Sequence, residues 1–318
     1  MFQPRFKNFS INFNRVNEAG TFSSGDPING QISFELTKET KINSITLTFL
    51  GKAHVHWSTS SGSGKRRSRR HFTATVEFFK LSSTILQERT AIGDGTERLQ
   101  PGMHVYPFSC QIPRGDFPSS FKGPSGEITY TLTVGIRRPW RLTKDFLTEV
   151  NFVSRIDINQ PGLLAPLAGT NSMTACCLWC AQGPITMTAR LDKKAFVPGE
   201  TVKISCEVSN ASSRTITPKI HLRQKQMFYT HNKANRRMLE KQLASETRQP
   251  IAPHTSDVFT EIMLTIPPAV SPTISNCAII EVSYMIIVKL CPKGLPSLEV
   301  HCPIVLCPLA SAHLPPCL

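Results

Sequence analysis

Apolar and polar residues alternate along most of this chain. In the segment 128–136, Ile-Thr-Tyr-Thr-Leu-Thr-Val-Gly-Ile, every second residue is apolar. Successive side chains of a strand point to opposite faces of a sheet, so this period predicts strands with one buried and one solvated face. The alternation favours antiparallel sheets packed as a sandwich over parallel sheets that are buried on both faces. It recurs in the segments 28–36, 45–49, 202–208 and 280–284.

Turn-forming residues separate the alternating segments. The chain contains 24 prolines and 18 glycines, which punctuate the segments as turns. A sustained helical period is hard to find. The best helix candidate is the segment 236–243, Arg-Arg-Met-Leu-Glu-Lys-Gln-Leu, and it fits an edge strand equally well. The sequence therefore predicts an all-β protein.

Two sets of landmarks recur at constant spacing. The segment 22–28, Phe-Ser-Ser-Gly-Asp-Pro-Ile, is echoed 174 positions later by the segment 196–202, Phe-Val-Pro-Gly-Glu-Thr-Val. In both segments a Gly-acid turn leads into an alternating strand. A second set recurs at a spacing of 154 positions, with Pro113, Pro118 and Tyr130 matching Pro267, Pro272 and Tyr284. We infer two copies of one β-sandwich, the first with a longer loop.

A composition change separates the two copies. The stretch 160–170 has no alternation and is rich in Pro, Gly and Ala, which is typical of a linker. We predict a first sandwich over 1–160, a linker over 161–172, a second sandwich over 173–310 and a short tail over 311–318.

Basic residues outnumber acidic ones, with 36 Lys and Arg against 22 Asp and Glu, for a formal net charge of +14. This balance favours anionic partners. Five cations lie in one loop, and near an anionic leaflet each is worth roughly 1 kcal/mol. We predict that the loop binds an acidic membrane surface or an acidic partner; a solvated loop that only adds solubility is the alternative. The cations are Lys65, Arg66, Arg67, Arg69 and Arg70.

Several function classes are not expected. The basic loop has neither interleaved aromatic residues nor a reading helix, so no nucleic-acid partner is predicted. No window approaches the ~18 clean apolar residues of a membrane helix, and the start has no signal-peptide core. Nucleophile-elbow, phosphate-loop and paired-acid patterns were not found, so we do not expect an enzyme. We expect a cytoplasmic protein with peripheral membrane contacts.

Cysteine and histidine supply the remaining candidate chemistry. Ten cysteines in 318 residues are too sparse for a disulfide scaffold, so mostly free thiols are expected. Cys176, Cys177 and Cys180 include a C-x-x-C spacing, which fits half a zinc site, a redox pair, acylation or, as we favour, packing at a strand start. His54 and His56 share one strand face without an identifiable third ligand, so no metal or other cofactor is predicted.

The landmarks resemble the arrestin family, and in particular its arrestin domain-containing (alpha-arrestin) group. The resemblance covers nearly the whole chain, with the motifs in family order. In the first copy it is carried by the segments 22–30, 51–57, 99–108, 118–121 and 138–140, together with Gly126 and Tyr130. In the second copy it is carried by the segments 176–180, 183–185 and 198–200, by Asn210, Ser212 and Ser213, and by the stretch 267–284.

The resemblance implies two tandem immunoglobulin-like β-sandwiches, the arrestin fold, and no catalysis. It implies an adaptor that binds membrane receptors or transporters and directs their endocytosis and ubiquitin-dependent sorting at the plasma membrane and endosomes. Such adaptors recruit ubiquitin ligases through a Pro-Pro-x-Tyr motif. Neither Pro-Pro pair here, at 267–268 and 315–316, has a Tyr at the required place, so ligase recruitment is expected to be indirect. A redox-linked, thioredoxin-interacting type of scaffold and an inhibitory cargo binder are the alternatives.

Overall fold

The computed structural model describes residues 5–61, 68–87, 97–156, 158–177 and 180–308. Within these residues the chain divides into two compact units. The first comprises the described residues of Met1–Ser154 with Tyr229–Asn235 and Asn276–Ile279, and the second comprises the rest. No helix in the described part of the chain is long and apolar enough to cross a membrane.

The first unit is built from strands of the first half of the chain. They form a three-stranded sheet in the order β1-β2-β7, a larger sheet in the order β10-β9-β4-β5 with β8 beside β9, and a small ladder of β3 and β6. The strands are β1 (Phe6–Phe13), β2 (Pro27–Leu36), β3 (Thr40–Ile42), β4 (Ser44–Ser61), β5 (Ser68–Gln87), β6 (Glu97–Leu99), β7 (Gly102–Gln111), β8 (Phe121–Gly123), β9 (Gly126–Arg137) and β10 (Lys144–Glu149).

The core of the first unit comes from the alternating positions. Phe34 of β2, Phe49 of β4 and Leu132 of β9 are fully buried, while their polar neighbours along each strand are more exposed. The ring of Phe6 in β1 lies 6.4 Å from that of Phe146 in β10, so side chains of the two sheets meet. Burial of one face on each sheet supplies the main stabilisation of such a sandwich.

The second unit repeats this plan. A four-stranded sheet has the order β11-β12-β14-β17, and a five-stranded sheet has the order β13-β19-β18-β15-β16. The strands are β11 (Leu167–Cys177), β12 (Cys180–Leu191), β13 (Ala195–Phe196), β14 (Thr201–Asn210), β15 (Ile216–Tyr229), β16 (Arg236–Thr247), β17 (Thr255–Thr265), β18 (Ile280–Pro292) and β19 (Leu298–Leu306). The helical turns of the described residues are α1 (Pro161–Leu164), in the second unit, and a 3-10 turn at His231–Lys233, in the first. The prediction of an all-β protein with two sandwiches is confirmed.

The repeated Gly-acid segment folds into the same turn in both units. Gly25 and Gly199 have φ values of 83° and 88°, in the left-handed region that favours glycine. The acid after each glycine accepts a hydrogen bond from a backbone N–H three residues earlier. For Asp26 the donor is Ser23, at 2.8 Å, and for Glu200 it is Val197, at 2.9 Å. The sequence echo therefore reflects a shared entry into the strands β2 and β14.

The second echo is a pair of buried tyrosines. Tyr130 donates a hydrogen bond from its hydroxyl to the carbonyl oxygen of Pro118 at 2.6 Å. Tyr284 donates to the carbonyl oxygen of Ser271, also at 2.6 Å. The two side chains are 1% and 2% exposed, and burial raises the pKa of both hydroxyls. Each hydroxyl thus satisfies a loop carbonyl, much as in the tyrosine corner of immunoglobulin-like sandwiches.

Two segments differ from the simplest interpretation of the sequence. The segment 236–243 lies in strand β16, at the edge of its sheet, so the edge-strand alternative holds. The predicted linker 161–172 is not irregular, because it contains α1 and the beginning of β11. Its last residues pair with β12 from Leu167 opposite Leu191 onwards. No side chain from Leu167 to Thr174 is buried, so this strand needs no apolar alternation. The exact domain boundaries stay a prediction.

Candidate functional site

The longest hairpin of the first unit joins β4 and β5. These strands have 18 and 20 residues, well above the usual 3 to 10 or so. β4 pairs with β9 only as far as Val55 opposite Gly126, whereas its ladder with β5 continues to Ser61 opposite Ser68. We call residues 56–61 of β4 and 68–73 of β5 the arm. Among the described strands, the arm is a two-stranded extension of the sheet.

The two faces of this hairpin differ in polarity. On one face the ring of Trp57 stacks on that of Phe72 at 5.3 Å, and Trp57 is only 4% exposed. On the other face His54 Nδ1 and Thr75 Oγ1 are 2.8 Å apart and share a hydrogen bond. The rings of His56 and His71 stack on this same face. Alternation along both strands therefore gives the hairpin one apolar face and one polar face.

Pairing of β4 with β5 adds one histidine to the pair that the sequence singles out. The ring of His71 lies 5.7 Å from that of His56, because β5 places His71 opposite Ser58. The alternation within β4 alone could not predict that His71 lies beside His56. A hairpin register with the Gly/Ser segment as its loop would have predicted it. Within the described residues no group of three metal-ligating side chains has an arrangement that could hold a metal ion.

The structure describes two of the five predicted cations of the basic loop. Arg69 and Arg70 begin β5 at the end of the arm, and both are exposed. Arg69 donates a hydrogen bond from Nε to Ser58 Oγ at 3.1 Å, so its guanidinium lies along the polar face. Lys65, Arg66 and Arg67 lie outside the described residues, and their shared role stays a prediction.

The edge of β5 differs from the edge of β16 in its charge. β5 is the last strand of its sheet, and its segment 71–76, His-Phe-Thr-Ala-Thr-Val, contains no Lys, Arg, Asp or Glu. The edge strand β16 carries Arg236, Arg237, Glu240 and Lys241. Charged side chains on an edge discourage pairing with another strand, whereas a neutral β-branched edge permits it. β5 therefore offers unpaired backbone groups beside two exposed arginines.

Other edges without Lys, Arg, Asp or Glu occur among the described strands, namely β7, whose Pro107 lacks a backbone N–H, the two-residue β13, and β11. Strand β11 ends its sheet and contains no charged residue. Its Asn171 donates a hydrogen bond from Nδ2 to the carbonyl oxygen of Glu299 in β19 at 2.8 Å. Side chains of β11 therefore contact the facing sheet, and the cation beside this edge, Arg190, lies on the neighbouring strand β12 opposite Ala168, whereas β5 itself carries two arginines. The β5 edge is the better candidate for an extended anionic partner.

The predicted thiol site can be placed only through its backbone. Cys176 and Cys177 end β11 and Cys180 begins β12, with Cys177 paired opposite Cys180. Their side chains lie outside the described part of the structure, so the choice between packing, redox and metal roles stays open.

Three thiols elsewhere in the second unit are buried. Burial raises the pKa of Cys206 to about 12 and of Cys302 and Cys307 to about 11. Thiolates are the reactive form, so these three side chains are poor nucleophiles at neutral pH.

Two tandem antiparallel sandwiches with a matching turn and a matching buried tyrosine define a duplicated β-sandwich protein. The comparisons with known proteins agree with this class. The family "Arrestin (or S-antigen), N-terminal domain" matches residues 9–159, and "Arrestin (or S-antigen), C-terminal domain" matches residues 181–310. The chain belongs to the arrestin family.

Its relatives include proteins of the alpha-arrestin group. It is 29% identical to Arrestin domain-containing protein 4 of Homo sapiens over 287 residues, which is 90% of this chain and 68% of that protein. The same protein of Mus musculus is 29% identical over 293 residues, with the same coverage. Thioredoxin-interacting protein of Homo sapiens is 24% identical over 304 residues, covering 95% of this chain and 74% of that protein. The resemblance found in the sequence motifs is confirmed.

Proposed function

We propose that this chain is a non-catalytic adaptor that binds membrane receptors or transporters and directs them into endocytosis and ubiquitin-dependent sorting. Membership of the arrestin family supports an adaptor or scaffold role. The observation that carries the cargo-binding part is the neutral, unpaired edge of β5 next to Arg69 and Arg70. In this proposal the protein works in the cytoplasm and at the surfaces of the plasma membrane and endosomes.

The proposed binding mode is strand addition. An extended cytoplasmic tail pairs its backbone with β5 along the segment 71–76, and main-chain hydrogen bonds provide affinity. Arg69 and Arg70 lie at one end of that segment, where they attract acidic residues of the tail. Binding of the basic loop to an acidic membrane would use the same cations and would compete with binding of the tail. Vesicle flotation of the Arg69→Glu and Arg70→Glu variant separates membrane binding from tail binding.

Ligase recruitment by this adaptor is proposed to be indirect. Neither Pro-Pro pair of the chain is followed by Tyr at the position that a WW domain reads. A second adaptor that carries the motif would then supply the ligase. An inhibitory binder, which binds cargo and recruits no ligase, is the alternative to this adaptor. Overexpression of an inhibitory binder slows cargo turnover, whereas overexpression of the adaptor speeds it.

Affinity purification from cells tests the adaptor proposal. The tagged chain is compared with the double variant Thr73→Glu and Thr75→Glu, which places two negative charges at exposed positions of the β5 edge, where they oppose strand pairing and repel an acidic tail. The matched control, Gln242→Glu and Ser245→Glu, adds the same negative charge to exposed positions of the β16 edge. We expect membrane receptors or transporters with ligase machinery in the wild-type and control samples, and their loss from the β5 variant. Equal recovery in all three samples would contradict binding at β5.

A second candidate function follows from one relative. Thioredoxin-interacting protein carries its partner in its name, and it covers 95% of this chain. A redox-linked scaffold would need an accessible thiol, and the buried Cys206, Cys302 and Cys307 are unsuited to it. Replacement of Cys176, Cys177 and Cys180 by Ser, with purification in the absence of reductant, tests this alternative. Loss of reductant-sensitive partners in that variant supports it, and unchanged recovery excludes these three cysteines, which leaves the partly buried Cys110 and Cys291.

A further inference from the structure

The turn between β9 and β10 carries two apolar side chains that no described residue covers. Trp140 is fully exposed and Leu142 is 92% exposed. Trp57, by contrast, is buried against Phe72 in the hairpin of the same unit. Exposed apolar groups cost free energy in water, and clusters of them mark sites of contact with a partner or a membrane. Residues 138–143 are called the tryptophan turn below.

The backbone of the tryptophan turn holds the indole away from the sheet. Trp140 has φ 55°, in the left-handed region that a bulky side chain rarely adopts. The turn is closed by a hydrogen bond from the Arg141 N–H to the Arg138 carbonyl oxygen at 3.4 Å. Strained backbone conformations of this kind concentrate at functional positions. The strain presents the indole to solvent instead of to the core.

Cations surround the base of the tryptophan turn. Lys144 Nζ lies 5.2 Å from the ring centre of Phe6 and 5.0 Å from that of Phe146. The guanidinium of Arg138 lies 5.4 Å from the ring centre of Phe6. These rings hold the charged groups next to the turn through cation–π contacts.

The cations of the turn are close enough to repel one another. Burial lowers the pKa of Arg138, and the positive charges of Arg5 and Arg141 lower it further. The Nε atom of Arg138 is buried and has no hydrogen-bond partner within the described residues. Asp145 is the acidic residue nearest in sequence, so cations outnumber acids in this cluster. The cluster is therefore suited to a multivalent anionic surface.

We propose that the tryptophan turn docks the first unit on an anionic lipid bilayer. Trp140 and Leu142 enter the interfacial layer, and Arg138, Arg141 and Lys144 contact the phosphate groups of the lipids. Tryptophan prefers this interface because its ring is apolar while its N–H is polar. Basic side chains beside it add attraction to acidic lipids. The combination of exposed apolar groups and cations favours a membrane over an acidic peptide alone, which would need only the charges.

The position of the turn separates this site from the basic loop. Arg137, which precedes the turn, pairs with Ser44 at the beginning of β4, whereas the arm ends at Ser61. At about 3.3 Å per residue, the length of β4 from Ser44 to Ser61 puts roughly 55 Å between the tryptophan turn and the end of the arm that carries Arg69 and Arg70. A bilayer bound at the tryptophan turn therefore leaves the arm available for cargo. This inference goes beyond the proposed function, because lipid binding by the purified chain requires no cargo.

Vesicle flotation of the purified full chain tests the proposal, using phosphatidylcholine vesicles with and without phosphatidylserine. The double variant Trp140→Ala and Leu142→Ser should bind the acidic vesicles at least about tenfold less, which corresponds to roughly 60 Å² of lost apolar contact. Arg141→Gln should weaken binding by about fivefold. The matched control, Met103→Ala and Val105→Ser, alters two other exposed apolar residues spaced two apart, and should float like the wild type. Arg69→Glu with Arg70→Glu should also leave flotation unchanged.

Several outcomes would overturn the proposal. These are undiminished flotation of the Trp140 and Leu142 variant, equal binding to neutral vesicles, or loss of flotation only in the Arg69 and Arg70 variant. A phosphorylated peptide could also compete with vesicles for the chain. If its binding needed Arg141 and did not change in the Trp140 variant, the cations would bind a peptide and not a bilayer. Quenching of tryptophan fluorescence by brominated lipid provides a second measurement. It should be strong in the wild type and reduced in Trp140→Phe, and equal quenching in both proteins would refute insertion.

Discussion

The hydroxyl of Tyr284 is a buried polar group with more than one hydrogen-bond partner in the second core. It donates to the carbonyl oxygen of Ser271 at 2.6 Å and accepts a hydrogen bond from Gln224 Nε2 at 2.7 Å. Its counterpart Tyr130 has one such bond, to the carbonyl oxygen of Pro118. Replacing each tyrosine by phenylalanine keeps the ring and removes only the hydroxyl. The two substitutions thus compare the same change in the two repeats.

The expected cost follows from the partners left behind. A buried polar group without a partner costs roughly 1–3 kcal/mol. Tyr130→Phe strands one carbonyl, so we expect a loss of about 1–2 kcal/mol in the free energy of unfolding of the first unit. Tyr284→Phe removes the partner of the Ser271 carbonyl oxygen and of the buried Nε2 of Gln224, so we expect a loss of about 2–4 kcal/mol in the free energy of unfolding of the second unit. Tyr106, which is partly exposed, serves as control, and Tyr106→Phe should change stability by less than about 0.5 kcal/mol.

Urea unfolding with amide hydrogen exchange measures both effects, since exchange reports each unit separately. The Tyr284 change should lower protection in the strands of the second unit more than the Tyr130 change does in the first. Equal losses, or a larger loss for Tyr130→Phe, would refute the partner count on which this reasoning depends.

Two further changes test the packing and the thiols. Gly51→Ala places a Cβ 2.8 Å from the Tyr130 ring, so thermal unfolding should show a loss of about 1–3 kcal/mol in stability. The control Gly162→Ala, which has open space around it, should leave stability nearly unchanged. Unchanged stability of the Gly51→Ala variant would contradict the packing. Cys206, Cys302 and Cys307 have folded-state pKa values of about 11 to 12 against an ordinary value of 9.0, so their contribution is complete below pH 9 and is lost as the pH rises through the folded values. The free energy of unfolding of the second unit should therefore fall between pH 9 and 11 by up to about 4 kcal/mol per pH unit, and Cys206→Ala should reduce that slope by about a third. A free energy of unfolding that does not change over this pH range would contradict the burial of the thiols.

The sequence predicted the parts of the fold that depend on local pattern. Strict alternation located β2, β9 and β14, because burial of one sheet face selects apolar residues at every second position. The Gly-acid echo predicted matching turns, because Gly25 and Gly199 both need a left-handed conformation. These signals lie within a few residues of one another in the chain, so a single sequence is enough to read them.

Features that depend on distant pairing could not be predicted in the same way. β11 has no buried side chain from Leu167 to Thr174, so its strand is defined by its ladder with β12 and not by its own pattern. The stacking of His71 on His56 follows from the register of a 20-residue strand. Trp140 is a family landmark in the sequence, and only the turn geometry shows that its side chain is exposed.

The central claim is that an extended cargo segment adds to the edge of β5. Amide hydrogen exchange of the chain, with and without a tail peptide from a cargo protein recovered by affinity purification, tests it most directly. We expect slower exchange in the segment 71–76 on addition of the peptide, and no slowing there in the variant Thr73→Glu with Thr75→Glu. Protection of another edge such as β11, with β5 unchanged, would contradict the claim.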